Sequence, residues 1–281
     1  MKERIIFGAI GAVLAVSAFL FAGEMVVFAL VALIALMAVT EFLKAVSVLG
    51  DKKKLPLNIL TYLLCIGLIV AISFDGIRFQ NGYLGAYGYS VVAVVIYIML
   101  AFVVMVLNHA HISFTDVAVS MLGTVYVTVS LMHIYLLRTL PNGKIYLWLP
   151  FIIAWLTDTF AYFTGVFFGK HKLIPSVSPK KTVEGSLGGI AGAIVTVIVY
   201  QLVCSRIAGF EPDYVMGVVM AVVCSVASQF GDLAASCIKR EHGIKDFGSI
   251  MPGHGGVMDR FDSVIYISPL VFMFVHYIGI F

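Results

Sequence analysis

Charged side chains are scarce in this chain. Asp, Glu, Lys and Arg together make up 12% of the 281 residues, whereas apolar residues make up 61%. A soluble domain carries about a quarter charged residues and just under half apolar ones. The scarcity of charge therefore excludes an ordinary soluble domain and indicates that lipid is the solvent. The net charge of +3 is also small, and no nucleic-acid partner is expected.

Cysteine is scarce as well, with four residues, none of them in a Cys-x-x-Cys pair. Without paired thiols, the sequence offers neither a zinc site built on cysteines nor a redox motif. Cys65, Cys204, Cys224 and Cys237 all lie inside or at the edge of apolar runs. We expect them to be small core residues.

Long apolar runs are abundant, and a membrane-spanning helix needs about 20 such residues. The runs predict an all-α polytopic integral membrane protein with about nine transmembrane helices, the first a retained span and not a signal peptide. The predicted spans are 5–22, 24–43, 56–74, 84–107, 114–137, 145–168, 186–208, 214–238 and 261–280.

The distribution of Lys and Arg predicts the orientation, because cytoplasmic loops carry an excess of both. With the N-terminus in the cytoplasm, 14 of the 18 Lys and Arg residues lie in cytoplasmic segments and four lie outside. The four outer residues are Arg78, Arg138, Lys144 and Arg206. We therefore expect a multi-pass protein of the cell (plasma) membrane with a cytoplasmic N-terminus.

Two predicted cytoplasmic loops, 169–185 and 239–260, are rich in Lys, Gly, Pro and His and lack the periodicity of a packed helix. Loops of this kind are where chemistry is usually found. We therefore divide the chain into N-terminal transmembrane helices, 1–110, and a catalytic transmembrane region, 111–281, whose active site faces the cytoplasm.

Acidic residues inside predicted spans are the first candidates for a site. Asp158 and Asp232 lie toward the cytoplasmic ends of their helices, where an unpaired carboxylate would cost several kcal/mol. Each is therefore a site candidate, although a hydrogen bond to a neighbouring helix is the alternative. Glu41 and Asp116 lie nearer span ends, and we expect them to be interfacial and hydrated.

The segment 178–185, Ser-Pro-Lys-Lys-Thr-Val-Glu-Gly, leads into the seventh predicted helix. Lys180 and Lys181 offer charges for phosphate, Thr182 offers a hydroxyl, and a helix start offers free N–H groups. The pattern fits a phosphate-binding loop, but it also fits a basic loop that only sets topology or touches anionic lipid.

The segment 236–262 combines four Lys and Arg residues with three aspartates and a Gly-His-Gly-Gly run that contains His254. Asp259 and Asp262 are three residues apart and would share a helix face. Carboxylates without thiolate partners suit a hard cation such as Mg²⁺. Mg²⁺ beside Lys and Arg is typical of sites for nucleotide phosphates.

The order of elements in 236–262 resembles the signature of the phosphatidate cytidylyltransferases, also called CDP-diacylglycerol synthases. That signature runs Ser, Lys-Arg, Lys-Asp, Pro-x-His-Gly-Gly and Asp-Arg-x-Asp, and all its elements are present in order. The segment 178–185 and the group Asp158, Ala161, Tyr162 and Gly165 also resemble family motifs. The resemblance is close in the C-terminal half only.

The resemblance implies that CTP and phosphatidic acid react to give CDP-diacylglycerol and diphosphate in phospholipid biosynthesis. It implies Mg²⁺ as cofactor, with a second cation such as K⁺ plausible, the lipid bilayer as surroundings, and a homodimer as the expected assembly. The expected metal ligands are Asp232 and Asp259, with Asp158 in a supporting place.

The remaining expected site residues fall into two groups. The catalytic group, besides the two metal ligands, consists of cations for phosphate and two residues that organise the loop or contact the nucleotide: Lys239, Arg240, Lys245, Asp246, His254 and Arg260. The nucleotide-binding group is Ser178, Lys180, Lys181, Thr182, Glu184, Gly255 and Gly256.

Other functions also fit a multispan membrane protein. A CTP-dependent polyprenol or dolichol kinase would transfer the γ-phosphate to an alcohol, and a CDP-archaeol synthase would act on ether lipids. A secondary transporter would use Asp158 and Asp232 for ion coupling, but the sequence has no inverted repeat. A CDP-alcohol phosphotransferase is disfavoured because its DGxxAR-type motif is absent.

Overall fold

A computed structural model describes residues 23–78, 85–209, 211–250 and 255–280 of the chain. Within these ranges, eight helical segments are long and apolar enough to cross a membrane. They coincide with eight of the nine predicted spans, which confirms the all-α polytopic class. The first predicted span, 5–22, lies outside the described residues, and the total of nine and the orientation remain predictions.

The helices are mostly single uninterrupted elements, because a chain in lipid must satisfy its backbone hydrogen bonds internally. A 3₁₀ turn, Lys52–Lys54, precedes α2, and a π-helical turn, Phe274–Ile278, extends α9. The helices are α1 (Glu24–Ala45), α2 (Leu55–Arg78), α3 (Gly85–Leu107), α4 (Phe114–Thr139), α5 (Gly143–Tyr146), α6 (Leu149–Phe168), α7 (Val183–Ala208), α8 (Tyr214–Glu241) and α9 (Met258–Met273).

The connection between α6 and α7 is a β-hairpin, where the sequence predicted only a loop. Strand β1 (Lys172–Ile174) pairs antiparallel with β2 (Ser178–Thr182), with Lys172 opposite Thr182 and Ile174 opposite Ser178. The hairpin runs directly into α7, whose N-cap is Thr182. Its two strands therefore carry the lysines of this segment on a defined backbone.

Packing divides the described chain into two compact units. The first comprises the described residues up to Thr139 together with Ile244–Arg260. In it, α1 packs on α4, and α2 packs on both α3 and α4. The ring of Phe42 fills the space beside Gly123, where a Cβ atom would lie 2.0 Å from the ring.

The second unit comprises Leu140–Gly243 and the described residues from Phe261 onward. Its centre is α7, which packs on α6 and α8. The side chain of Gln201 on α7 donates to the carbonyls of Asp213 and Ile280, both at 3.1 Å, and so ties the chain end to the start of α8. These units reflect packing, and the functional boundary placed at residue 110 remains a prediction.

The structure corrects two expectations for individual residues. Glu41 was expected to be interfacial, but only 3% of it is exposed and its carboxylate accepts a hydrogen bond from the Met258 amide. Cys237 was expected in the core with the other cysteines, but it lies on an exposed face of α8. Asp116 is partly exposed and pairs with Lys54 at 2.8 Å, and its interfacial place remains a prediction.

Candidate active site

A cavity of about 490 Å³ lies within the second unit, at the meeting of α6, the hairpin, the start of α7 and α8. Its lining combines two carboxylates with three lysines, a mixture suited to a ligand with several negative charges and a counter-ion. The lining residues are Asp158, Ala161, Tyr162, Gly165, Val166, Lys172, Leu173, Lys180, Lys181, Thr182, Gly185, Ser186, Gln229 and Asp232.

Helix α6 contributes one face to the cavity. Asp158, Ala161, Tyr162 and Gly165 are spaced three or four residues apart, and such residues share a helix face. They are also the residues of α6 that the sequence singled out. Asp158 is exposed to the cavity and not buried between helices. Its carboxylate is therefore available to a ligand.

Glycines on α7 bring that helix against α6. A Cβ atom at Gly185 would lie 2.7 Å from the Ala161 carbonyl oxygen, and one at Gly189 would lie 2.9 Å from the Thr157 carbonyl oxygen. Small residues four apart allow close backbone approach between helices in lipid. The approach places the positive N-terminal end of α7 on the cavity wall, where it favours an anion.

Thr182 ends β2 and caps α7. Its hydroxyl accepts a hydrogen bond from the Gly185 amide at 3.1 Å, as an N-cap residue does. Thr182 is buried yet lines the cavity. The hydroxyl predicted to contact phosphate is thus engaged in holding the helix start, and its role toward a ligand remains a prediction.

Helix α8 contributes Asp232 and Gln229, which are one helical turn apart. The carboxylate of Asp232 forms an ion pair with the ammonium group of Lys181 on β2. The amide of Gln229 donates to the Ser186 carbonyl at 3.3 Å, and the hydroxyl of Thr157 on α6 donates to that of Ser225 at 3.1 Å. These contacts fix α8 against α6 and α7 at the level of the cavity.

Glu184 closes the base of the hairpin. Its carboxylate accepts hydrogen bonds from the Lys170 and His171 amides, at 3.1 and 3.2 Å, and lies 2.6 Å from the His171 ring nitrogen. These donors occupy the side chain that the sequence assigned to nucleotide binding. Ser178 starts β2 opposite Ile174 and is not part of the cavity lining. The binding roles of both residues remain predictions.

The glycine-rich end of the signature segment belongs to the first unit. One carboxylate oxygen of Asp259 accepts hydrogen bonds from the amides of Phe247, at 2.8 Å, and Gly256, at 3.0 Å. Gly255 has a φ of +80°, a conformation that favours glycine. Asp259 therefore closes a tight turn across Gly255 and Gly256, and that turn explains why the sequence places glycines there.

The other residues of the signature segment lie at the end of α8, in the loop that follows it and at the start of α9. Lys239 and Arg240 lie in the last turn of α8, and Lys245, Asp246 and Arg260 are exposed. His254 lies outside the described residues. Asp262 is buried, and its carboxylate accepts from the Ser263 amide at 2.7 Å. No catalytic role was assigned to Asp262. The roles assigned to the others remain predictions.

The carboxylates of the cavity are suitable ligands for the Mg²⁺ that the family resemblance implies. Mg²⁺ prefers oxygen ligands and usually keeps several waters, so that one or two protein carboxylates suffice. Asp158 and Asp232 supply two such groups in one cavity. A group of three or more His, Cys, Asp or Glu side chains that could hold a metal is not found among the described residues.

Among the polar residues of the cavity lining, Lys172, Ser186 and Gln229 were not predicted from the sequence. Lys172 was only one of the 14 Lys and Arg residues counted as cytoplasmic, although it faces the cavity from β1, and Gln229 was not singled out. Lys172 reaches the cavity because β1 pairs with β2, and a three-residue strand leaves no clear pattern in the sequence. Gln229 could have been found from its spacing of three residues before Asp232.

Comparison with known proteins decides the family. Residues 2–278 match the model of the cytidylyltransferase family. This chain belongs to that family. The finding confirms the resemblance seen in 236–262 and extends it to the N-terminal half, where only apolar helices had been recognised. It also argues against the transporter hypothesis.

Individual relatives are similar over part or most of the chain. A phosphatidate cytidylyltransferase of Staphylococcus epidermidis (strain ATCC 35984) is 40% identical over 177 residues, which are 62% of this chain and 66% of the relative. One of Staphylococcus aureus (strain COL) is 34% identical over 233 residues, 82% of this chain and 86% of the relative. The first alignment thus spans just under two thirds of that relative.

Proposed function

We propose that this membrane protein is a phosphatidate cytidylyltransferase, which converts CTP and phosphatidic acid into CDP-diacylglycerol and diphosphate. The observation that carries the proposal is the cavity of the second unit, which sets Asp158, Asp232 and three lysines around one space. Its charges suit a triphosphate. The names of the relatives supply the acceptor, since both are called phosphatidate cytidylyltransferase.

The reaction is an in-line displacement at phosphorus. A phosphate oxygen of phosphatidate forms a bond to the α-phosphorus of CTP, the bond from that phosphorus to the bridging oxygen breaks, and diphosphate leaves with the electron pair. The nucleophile is already ionised at neutral pH, so the enzyme does not need a general base for this step. Its task is to hold two anions together and to neutralise their charge.

The residues of the cavity can perform that task. Lys172, Lys180 and Lys181 supply positive charge from the two hairpin strands, and the start of α7 adds its dipole. Mg²⁺, when bound, would neutralise phosphate charge and stabilise the leaving diphosphate. Asp158 and Asp232 would hold it from the cavity wall. The place of Asp259 among the ligands, and a second cation such as K⁺, are proposed on the resemblance alone.

The proposal also covers location. Phosphatidate would reach the enzyme laterally from the inner leaflet, and CTP would arrive from the cytosol, in agreement with the distribution of Lys and Arg. The predicted homodimer rests on the family resemblance.

The deciding experiment follows two radioactive positions of CTP with purified protein in lipid nanodiscs. With phosphatidate as acceptor, label from the α-phosphate should enter the lipid, and label from the γ-phosphate should appear in diphosphate. Label from the γ-phosphate in the lipid, with release of CDP, would identify a lipid kinase instead. Reactions without phosphatidate, and with diacylglycerol or an ether-linked phosphatidate in its place, test the acceptor.

A further inference from the structure

Glu41 is a buried acid for which the reaction proposed above has no direct use. It lies in the last part of α1, far along the sequence from the signature segment, and only 3% of it is exposed. A buried carboxylate is costly unless it is paired or hydrogen-bonded, so its retention points to a specific task. Its carboxylate lies against Gly248, Gly256 and Met258, which belong to the segment 244–260 of the same unit.

The contacts of Glu41 surround the glycine turn of the signature. One carboxylate oxygen accepts a hydrogen bond from the Met258 amide at 2.8 Å. A Cβ atom at Gly248 would lie 2.2 Å from one carboxylate oxygen, and a Cβ atom at Gly256 would lie 2.3 Å from the other. A larger residue at either position would displace the carboxylate from its present place, so glycine at both leaves room for the acid as it is bound to Met258.

Neighbouring contacts reinforce this attachment. The ring of Phe247 stacks on that of Phe42, with centroids 6.4 Å apart. Asp259 accepts from the amides of Phe247 and Gly256, as described above. The turn is thus held on one side by the last residues of α1 and on the other by the aspartate of the signature.

We infer that Glu41 is a positioning residue that fixes the glycine turn of the signature segment, and with it Asp259, from the N-terminal helices. The inference rests on the proposed function for its catalytic consequence. Glu41 lies against the backbone at Gly248, Gly256 and Met258, and it is not one of the residues that line the cavity. It therefore acts through the loop. Its second oxygen has no hydrogen-bond partner among the described residues, which marks a carboxylate held by shape as well as by bonding.

The first test compares variants at Glu41 by catalysis and by amide hydrogen exchange. Glu41→Ala should speed exchange in the peptide covering 244–258 and lower kcat/KM for CTP by about 10²-fold per folded molecule, the effect of a small misplacement of reacting groups. Glu41→Gln keeps an acceptor for the Met258 amide and should recover most of both. Glu211→Ala removes an exposed acid from the connection before α8, outside the first unit, and should change neither.

The second test is a steric suppression. Gly248→Ala should impair the natural protein, because the new methyl group would meet the Glu41 carboxylate. Combined with Glu41→Ala, the same substitution should cost nothing further. Equal losses from Gly248→Ala in both backgrounds, or unchanged loop exchange in Glu41→Ala, would overturn the inference. A purely structural Glu41 would reduce the yield of folded protein and leave kcat/KM per folded molecule unchanged.

The inference can still be tested if Glu41→Ala does not fold or if the proposed function is wrong. If Glu41→Ala does not yield monodisperse protein, Glu41→Asp withdraws the carboxylate from Gly248 and should still make Gly248→Ala better tolerated. If the natural protein forms no CDP-diacylglycerol, the proposed function fails. Hydrogen exchange of 244–258 would then still decide whether Glu41 holds the loop.

Discussion

Lys181 forms an ion pair with Asp232 inside the cavity and so joins the hairpin to α8. Both side chains are partly exposed to the cavity, at 26% and 30%. Both side chains can therefore exchange this ion pair for a ligand. A phosphate group would bind the ammonium group of Lys181, and a cation would bind the carboxylate of Asp232. The pair keeps both groups in place when no ligand is present.

Replacement of Lys181 tests this arrangement. Lys181→Met should lower kcat by about 10²- to 10³-fold, because a preorganised positive group is lost where negative charge develops. Lys170→Met removes an exposed lysine just before the hairpin and should leave kcat within about twofold. Steady-state formation of labelled CDP-diacylglycerol measures both. A near-normal Lys181→Met enzyme would show that the pair is only structural.

The proposed metal ligands make a separate prediction. Asp232→Asn and Asp259→Asn should each abolish turnover while the protein still inserts and elutes as a single species, because an amide is a poor ligand for Mg²⁺. Asp213→Asn is the matched control, since Asp213 caps α8 and asparagine is an equally good cap. Turnover close to normal in either ligand variant would contradict the assignment.

Gly185 tests the packing that shapes the cavity. Gly185→Ala should lower the free energy of unfolding by about 1–3 kcal/mol and reduce activity, because its methyl group would meet the backbone of α6. A backbone carbonyl cannot move aside as a side chain can. Gly67→Ala on α2 meets nothing within 4 Å and should be tolerated. Thermal unfolding in detergent, followed for both variants, gives the comparison.

The orientation can be tested with single cysteines. In a background in which the exposed Cys237 is serine, Ser249→Cys should be shielded from an impermeant thiol reagent in intact cells and become reactive after lysis. Lys144→Cys, in a predicted outer segment, should react in intact cells. The opposite pattern would invert the predicted topology and place the signature segment outside.

The sequence predicted the helices well because lipid leaves few alternatives. Apolar runs of the right length must become helices, and eight of them did within the described residues. It also singled out Asp158 and Asp232, since acids at membrane depth are costly and rare. Both line the cavity.

Other features could not be predicted because their partners are distant in sequence. Glu41 lies near the end of an apolar run, as an interfacial acid would. The amide that donates a hydrogen bond to it is 217 residues away in the sequence. The residues next to Glu41 in the sequence do not indicate which group it will bind. Likewise, Lys172 joins the cavity through a short antiparallel pairing that leaves no periodic pattern.

The hydrogen bond between Glu41 and Met258 has a consequence for how the protein is made. Ribosomes add about 5–20 residues per second, so roughly 10 to 40 seconds separate the synthesis of Glu41 from that of its partner, 217 residues later. During that time the Met258 amide, which donates the hydrogen bond to Glu41, has not yet been synthesised. Completion of the first unit must wait for the arrival of the signature segment, so a chain stopped before residue 258 lacks the bond that anchors its own glycine turn.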